Sequence, residues 1–388
     1  MVPLSPKEAA EIARGVYRLR TDSVSEIRER GQTLGCEGIF QVGNTSRFEG
    51  SSGGLFWKQL SGFGYIAAGE GARQGEVLVA TRGTAMAVDW LTNLNIGFAI
   101  GPSGQPVHAG FNATWKSFSD ELRAFLRNRN PAHFHCVGHS LGGALANLNA
   151  DFLSASGAGG VSLYTFGAPR AGFVTFSRAL SQRLKPENIY RVSNVSDPVP
   201  MIPLFPFSHA PFTEPGITLR TAGTGIISVA AHNMQDSYQS SVAETSWRAL
   251  RGATGPPGWD VDAKVWLQSS AAGQYGVVMG SAKLLIMIGK ALQWVLGRVK
   301  DILLGTVGTA LAVGVTCLDQ IAWLLSRGAE ISLEIAGHVR SIIGAIFRFL
   351  GRVAATAANL TMAFLRWVLD LLFTALSGAA TRALSFLV

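Results

Sequence analysis

The stretch Cys136-Val137-Gly138-His139-Ser140-Leu141-Gly142-Gly143-Ala144-Leu145-Ala146 constrains the fold of this chain more than any other. It sets Gly-x-Ser-x-Gly between an apolar run of β character, residues 134–137, and a helix-forming run, residues 141–153. A strand that turns sharply into a helix is the context in which a serine is lifted out as a nucleophile. On so tight a turn, nothing bulkier than glycine is tolerated two residues to either side. The helix starting at Leu141 would aim its first N–H groups at the anion that forms when Ser140 attacks a carbonyl.

Such a serine needs a base and an acid to orient it, expected downstream in the order acid, then histidine. Residues 188–194 alternate like a strand, and Ser196-Asp197-Pro198-Val199-Pro200 follows. Asp197 therefore falls at the C-terminal lip of a sheet, where α/β folds keep their chemistry; the plain alternative is an Asp-Pro turn. Of the seven histidines, His133, His135 and His139 lie too close to Ser140 to return from a later loop. His108 precedes it, and His338 sits in an apolar tail. His209 and His232 remain. His232 stands where a loop gives way to a helix, His209 among prolines and phenylalanines.

Four blocks in order make the chain resemble the class 3 lipase family, the α/β-hydrolases that include the filamentous-fungal triacylglycerol lipases. They are residues 79–91 (with Arg82-Gly83-Thr84), residues 107–111 (Val-His-Ala-Gly-Phe), the serine turn, and residues 164–172 followed by Asp197-Pro198-Val199-Pro200. The likeness covers about residues 60–240. It implies a mostly parallel central sheet with Ser140 as nucleophile, Asp197 as orienting acid and His232 as base. It also implies Thr84 and the N–H of Leu141 as oxyanion-hole donors, and a lid in residues 85–100 that includes Asp89, Trp90 and Leu91. The block containing His232 is the least regular, and Thr81 stands where the family has Phe before the arginine.

Composition bounds the rest. At 388 residues there is room for two domains: an α/β-hydrolase unit over residues 1–240, a Gly/Pro-rich linker over 241–262, and an all-α hydrophobic region over 263–388. A net charge of +8 suits anionic lipid headgroups. No nucleic-acid motif accompanies it, so nucleic acid is not an expected partner. Cys36, Cys136 and Cys317 form no metal spacing and no disulfide framework. No metal and no cofactor is implied. Ser5-Pro6-Lys7-Glu8 reads as a capping box opening a charged helix to about Arg18, not as a secretion leader. Synthesis in the cytoplasm without a cleavable signal peptide is the expectation. Residues 69–75 have a glycine spacing that suits a turn rather than a phosphate loop.

The tail has no internal proline beyond residue 262, which argues for long helices. Residues 302–318 carry no charge, the short limit for a membrane span. Glu334, His338, Ser341, Arg348, Arg352, Asn359, Arg366 and Asp370 recur at helical spacing as one thin polar stripe. Gly337, Gly344, Gly351 and Ala358 form a small-residue seam of the kind that lets helices approach closely. Helices inserted in or lying on a membrane, a bundle folded onto the first unit, and a surface covered by a chaperone or other partner are the competing readings.

The expected function is a lipase or phospholipase that hydrolyses phospholipid or acylglycerol esters through an acyl-serine. A membrane-associated tail similar to those of antibacterial effectors exported by type VI secretion machines, with an immunity partner, completes that expectation. Its rivals are a pore-forming protein with the hydrolase unit as scaffold, and a soluble carboxylesterase.

Overall fold

The computed structural model describes residues 2–43, 46–52, 59–83, 97–127, 129–157, 159–204, 206–212, 216–220, 227–253, 263–271, 282–304, 316–353 and 359–384. The strands are β1 (Phe40–Gln41), β2 (Arg47–Ser52), β3 (Gln59–Gly69), β4 (Glu76–Thr81), β5 (Phe98–Ile100), β6 (Pro106–His108), β7 (His133–His139), β8 (Gly160–Phe166), β9 (Gly172–Phe173), β10 (Ile189–Asn194), β11 (Phe207–Ser208) and β12 (Ile217–Leu219). The main sheet runs β1-β3-β4-β7-β8-β10-β12, with β2 also on β3, and a small sheet runs β11-β9-β6-β5. From β4 to β12 every neighbour is parallel. The β1, β2 and β4 partners of β3 are antiparallel. This is the mostly parallel sheet that the family resemblance implied.

Its centre is parallel because β4 and β7 are buried along their whole length, as strands covered on both faces must be. Successive residues serve opposite cores. Val77, Val79, Phe134, Cys136, Val161 and Leu163 face one side, while Leu78, Ala80, Val137, Tyr164 and Phe166 face the other. The second side is covered by α1 (Pro6–Gly15) and the short α2 (Val24–Glu29). The capping box at Ser5 and Glu8 is present, but α1 tightens into a 3-10 turn over Val16–Arg20 instead of running on to Arg18. The first side carries α3 (Ala109–Leu126), α4 (Leu141–Ala155) and α5 (Val174–Leu184). Residues 71–73 form the expected turn between β3 and β4.

After β12, a helix α6 (Trp247–Gly252) seats Trp247 in the α1 side. Its indole N–H donates to the Leu4 carbonyl at 2.6 Å, and its ring lies 4.6 Å from that of Tyr190. Trp247 and Leu250 are buried there together with the residues of α1. Residues 254–262 lie outside the described residues.

The tail is helical: α7 (Ala263–Ala271), α8 (Ala282–Leu304), α9 (Cys317–Ile331), α10 (Leu333–Phe349) and α11 (Met362–Leu384). Leu285, Ile288, Leu292, Leu325, Val339, Ile342, Leu369, Leu372 and Leu376 follow helical spacing and join the core on the α4 side as one apolar cluster. α11 packs on the turns Val199–Met201 and Val229–His232. The single polar stripe is not formed. The chain leaves α10 at Leu350 and passes Gly351 at φ +66°, so Glu334, His338, Ser341 and Arg348 lie on α10, Arg366 and Asp370 on α11, and Arg352 and Asn359 in neither. His338 and Ser341 are buried on α10. Arg366 of α11 donates to Asp319 of α9 at 2.8 Å and to Asp370 at 3.1 Å. A Cβ on Gly337 would meet nothing within 4 Å, so that glycine marks no close helix approach. Ala358 and most of residues 302–318 lie outside the described residues.

Beneath the sheet, His135 Nε2–H donates to Glu76 Oε2 at 2.8 Å, and Arg73 donates to the same oxygen at 3.0 Å. Tyr164 takes an N–H from Leu4 at 2.9 Å and offers its O–H to His135 Nδ1 at 3.3 Å, so this histidine is fully satisfied as the neutral form. Burial pushes His135 and His108 each from 6.5 to about 4. Both values are lower in the folded chain, so the unfolded chain takes up protons first on acidification. Stability is whole above pH 6.5 and falls as the pH drops from 6.5 to about 4. A loss on the order of several kcal/mol is expected across that window. Calorimetric Tm values at pH 7, 5.5 and 4 measure it; a flat Tm would show that these rings are not buried neutral.

Candidate active site

Ser140 follows β7 and caps α4 at φ 58°, ψ −133°, a conformation that a residue with a side chain rarely adopts. Two glycines make the turn possible. A Cβ on Gly138 would lie 2.2 Å from the Gly142 carbonyl oxygen, and one on Gly142 would lie 2.2 Å from that of Thr81. The Ser140 N–H donates to the Phe166 carbonyl at 2.9 Å. Thr81, at the position where the resemblance led us to expect Phe, donates its hydroxyl to the Gly142 carbonyl at 2.7 Å and so braces the turn from β4. Gly142→Ala is expected to cost more than the ~1–3 kcal/mol of ordinary overpacking, because the obstruction is backbone. Denaturant unfolding of the variant checks this, and an unchanged midpoint would contradict the close approach.

Asp197 lies in the turn after β10 and His232 in the 3-10 turn Val229–His232, 35 residues apart in sequence. His232 Nε2 is 2.9 Å from Ser140 Oγ, and His232 Nδ1 is 2.7 Å from Asp197 Oδ2. All three side chains are fully buried. Asp197 is itself held: Val199 N–H donates to Oδ1 at 2.9 Å, and Tyr238 O–H donates to Oδ2 at 2.6 Å. Tyr238 in turn accepts the Asn194 N–H at 3.1 Å. Burial and the neighbouring Asp197 push the Tyr238 hydroxyl well above its usual range, so it stays a donor. Gly167, at φ +57°, leaves room for this pair, since a Cβ there would sit 2.9 Å from Asp197 Oδ2. A serine hydroxyl, an imidazole that can accept its proton, and a carboxylate fixing the imidazole's other nitrogen are the parts of nucleophilic acyl transfer.

Leu141 is the first residue of α4, where a helix has N–H groups without intrahelical acceptors. Thr84, Asp89, Trp90 and Leu91 lie outside the described residues, as do residues 84–96 in general. Of the expected lid, Phe98–Ile100 forms β5 of the small sheet. His209 is not part of this group; its Nε2 lies 2.8 Å from the Pro200 carbonyl. Sequence reasoning passed over Tyr238, and also His139, which meets the His232 carbonyl from behind, and Tyr17, which meets His139. Tyr238 stands six residues past His232, in a π-type turn over Met234–Gln239. Only the aromatic hydroxyl following the base could have signalled it.

The fold and the buried serine–histidine–aspartate chain define an α/β-hydrolase unit with a serine centre. Residues 78–207 match the model of the lipase (class 3) family. A secreted mono- and diacylglycerol lipase 1 of Fusarium solani is 35% identical over 155 residues, covering 38% of this chain and 45% of that protein. A secreted mono- and diacylglycerol lipase A of Penicillium cyclopium is 29% identical over 155 residues, 38% of this chain and 48% of the relative. A chloroplastic phospholipase A(1) of Arabidopsis thaliana is 27% identical over 219 residues, 49% of this chain and 46% of the relative. The chain thus spans about half the length of the curated relatives it matches. Among solved structures, a lipase from Rhizopus microsporus var. chinensis aligns with TM-score 0.38 at 20% identity, over 56% of this chain and 74% of that one.

Proposed function

We propose that the chain hydrolyses carboxyl esters of lipids, acylglycerols and glycerophospholipids, through a covalent acyl-serine. The observation that carries this reading is the unbroken path from Asp197 through His232 to Ser140 at the head of α4. In this reading Ser140 Oγ attacks the ester carbonyl carbon while His232 Nε2 takes its proton. The oxyanion is received by the Leu141 N–H and by Thr84. The same proton then leaves with the alcohol, the acyl group stays on Ser140, and water activated by His232 releases the fatty acid. Residues 85–100, with Asp89, Trp90 and Leu91, serve as the lid in this reading. The match to mono- and diacylglycerol lipases and to phospholipases A1 supports the substrate class.

The chain is read as two units, the hydrolase and the helical tail, the latter bringing the enzyme to a lipid surface. Trp323, Leu333, Val353 and Trp367 stand exposed on the tail, and Met362–Leu384 is long and apolar enough to cross a bilayer by length and composition. Such a tail would need a chaperone or immunity partner until delivery by a secretion machine. The test is release of fatty acid, lysophospholipid and monoacylglycerol from mixed phosphatidylcholine–diacylglycerol vesicles by the full chain, with Ser140→Ala as the blank. Release confined to the wild type supports the reading, and the products rank the two ester classes. Equal, negligible release from both would overturn it, and vesicle leakage without release would favour the pore-forming rival.

A further inference from the structure

Behind the catalytic histidine runs a second hydrogen-bonded path, built from residues far apart in the chain. The Gly83 N–H, at the end of β4, donates to the Tyr17 hydroxyl oxygen at 3.2 Å. The Tyr17 hydroxyl lies 2.9 Å from His139 Nδ1, and His139 Nε2 lies 2.9 Å from the backbone carbonyl oxygen of His232. The His139 and His232 rings lie 4.7 Å apart at 32°. His139 is completely buried and immediately precedes Ser140.

The chemistry of the end groups fixes every proton along this path. A carbonyl oxygen only accepts, so His139 Nε2 carries a hydrogen and donates it to His232. Burial and the adjacent His232 hold His139 well below its usual range, so the ring is neutral and has just one N–H. Its Nδ1 is therefore an acceptor, and Tyr17 must donate to it while accepting from Gly83. Burial raises the Tyr17 hydroxyl, which keeps that proton in place. Any other arrangement sets two lone pairs or two hydrogens face to face, at the cost of an unmade hydrogen bond.

We infer that Tyr17 and His139 are positioning residues, which hold the main chain of His232 at the height that keeps its Nε2 on Ser140 and tie the end of β4 to the same turn. This rests on the function proposed above. The pair touches neither substrate nor the reacting atoms. Tyr17 belongs to the N-terminal 3-10 turn, outside the segment that matches the family. The N-terminal arm is thereby part of the catalytic apparatus. The neutral His139 ring also spares the imidazolium of His232 a like-charged neighbour as Ser140 gives up its proton.

Three variants and one spectrum test this. Tyr17→Phe removes the hydroxyl alone. His139→Leu removes both bonds, whereas His139→Gln can still donate an amide N–H to the His232 carbonyl. Small displacements of a catalytic group cost up to ~10²-fold; we expect kcat on a soluble short-chain ester to fall about 10-fold in Tyr17→Phe and about 10²-fold in His139→Leu. KM should stay within about twofold, and His139→Gln should recover most of the loss. Nitrogen-15 shifts of the imidazoles in the wild-type chain should show His139 neutral and protonated at Nε2. Wild-type kcat in folded Tyr17→Phe and His139→Leu, or a His139 proton on Nδ1, would overturn the inference. Should the variants not fold, the wild-type spectrum decides. A wild type inactive on every ester, with the expected His139 spectrum, would count against the proposed function alone.

Discussion

Ser140→Ala is expected to lower kcat by about 10⁴- to 10⁶-fold while leaving the fold intact. The substitution removes one atom, Oγ, whose hydrogen bond in the structure is to His232 Nε2 at 2.9 Å. Alanine and serine meet the same steric demand at φ 58°, so the backbone strain at the turn is unchanged. The Ser140 N–H keeps its bond to Phe166, and the glycines at 138 and 142 keep their contacts. The loss should thus be chemical rather than structural. Turnover of a chromogenic ester and of vesicle lipid, beside a thermal melt, separates the two. Residual activity above about 10⁻³ of wild type in a folded variant would locate the hydrolysis elsewhere.

Asp197→Asn should cost about 10⁴ in kcat with little change in KM. Asn is almost the same shape, so the effect comes from which atom carries hydrogens. Asp197 Oδ1 receives the Val199 N–H at 2.9 Å and must remain an acceptor. The amide NH₂ of Asn is therefore directed to the Oδ2 position, where His232 Nδ1 stands at 2.7 Å and Tyr238 donates at 2.6 Å. The amide donor then faces the His232 Nδ1–H, and the imidazole is driven to the tautomer with its hydrogen on Nε2. That nitrogen points at Ser140 and can no longer accept a proton. The pH–rate profile, with nitrogen-15 shifts of His232, measures both halves of the argument. A folded Asp197→Asn with near wild-type turnover would remove Asp197 from the mechanism.

Much of this centre was legible before any coordinates. Gly138-His139-Ser140-Leu141-Gly142 announces its own geometry, because a strand-to-helix turn of that tightness is a matter of local sterics. β7, α4 and β10 appear where residues 134–137, 141–153 and 188–194 placed them, within a few residues. Elimination left His209 beside His232; its setting among prolines and phenylalanines counted against His209, and the resemblance assigned the base to His232. The structure brings His232 to Ser140 and turns His209 to the Pro200 carbonyl. His139 was set aside as too near Ser140 to act as its base, which is sound geometry, yet its ring lies against His232. Tyr17 carried no signal, being one aromatic residue in a charged helical segment.

The tail shows the same division from the other side. Helical periodicity foretold helices, and helices are there. The stripe of polar residues assumed one helix, but the chain breaks at Gly351. Periodicity measures angle around an axis and says nothing of whether the axis continues. The buried apolar residues of the described tail helices pack on each other and join the core beside α4. Packing, not composition, decided where they went.

The sequence by itself determined what is local: the serine turn, the alternation that gives each strand two buried faces, and the spacing that makes the tail helical. These follow from steric and periodic rules acting over a few residues. Tertiary structure alone decided which distant groups meet. Sheet order sets Gly83 beside Ser140, the turn after β10 brings Asp197 to His232, and the N-terminal arm reaches His139 through Tyr17. Only those meetings assign the protons, because a buried imidazole takes its tautomer from the partners at both of its nitrogens.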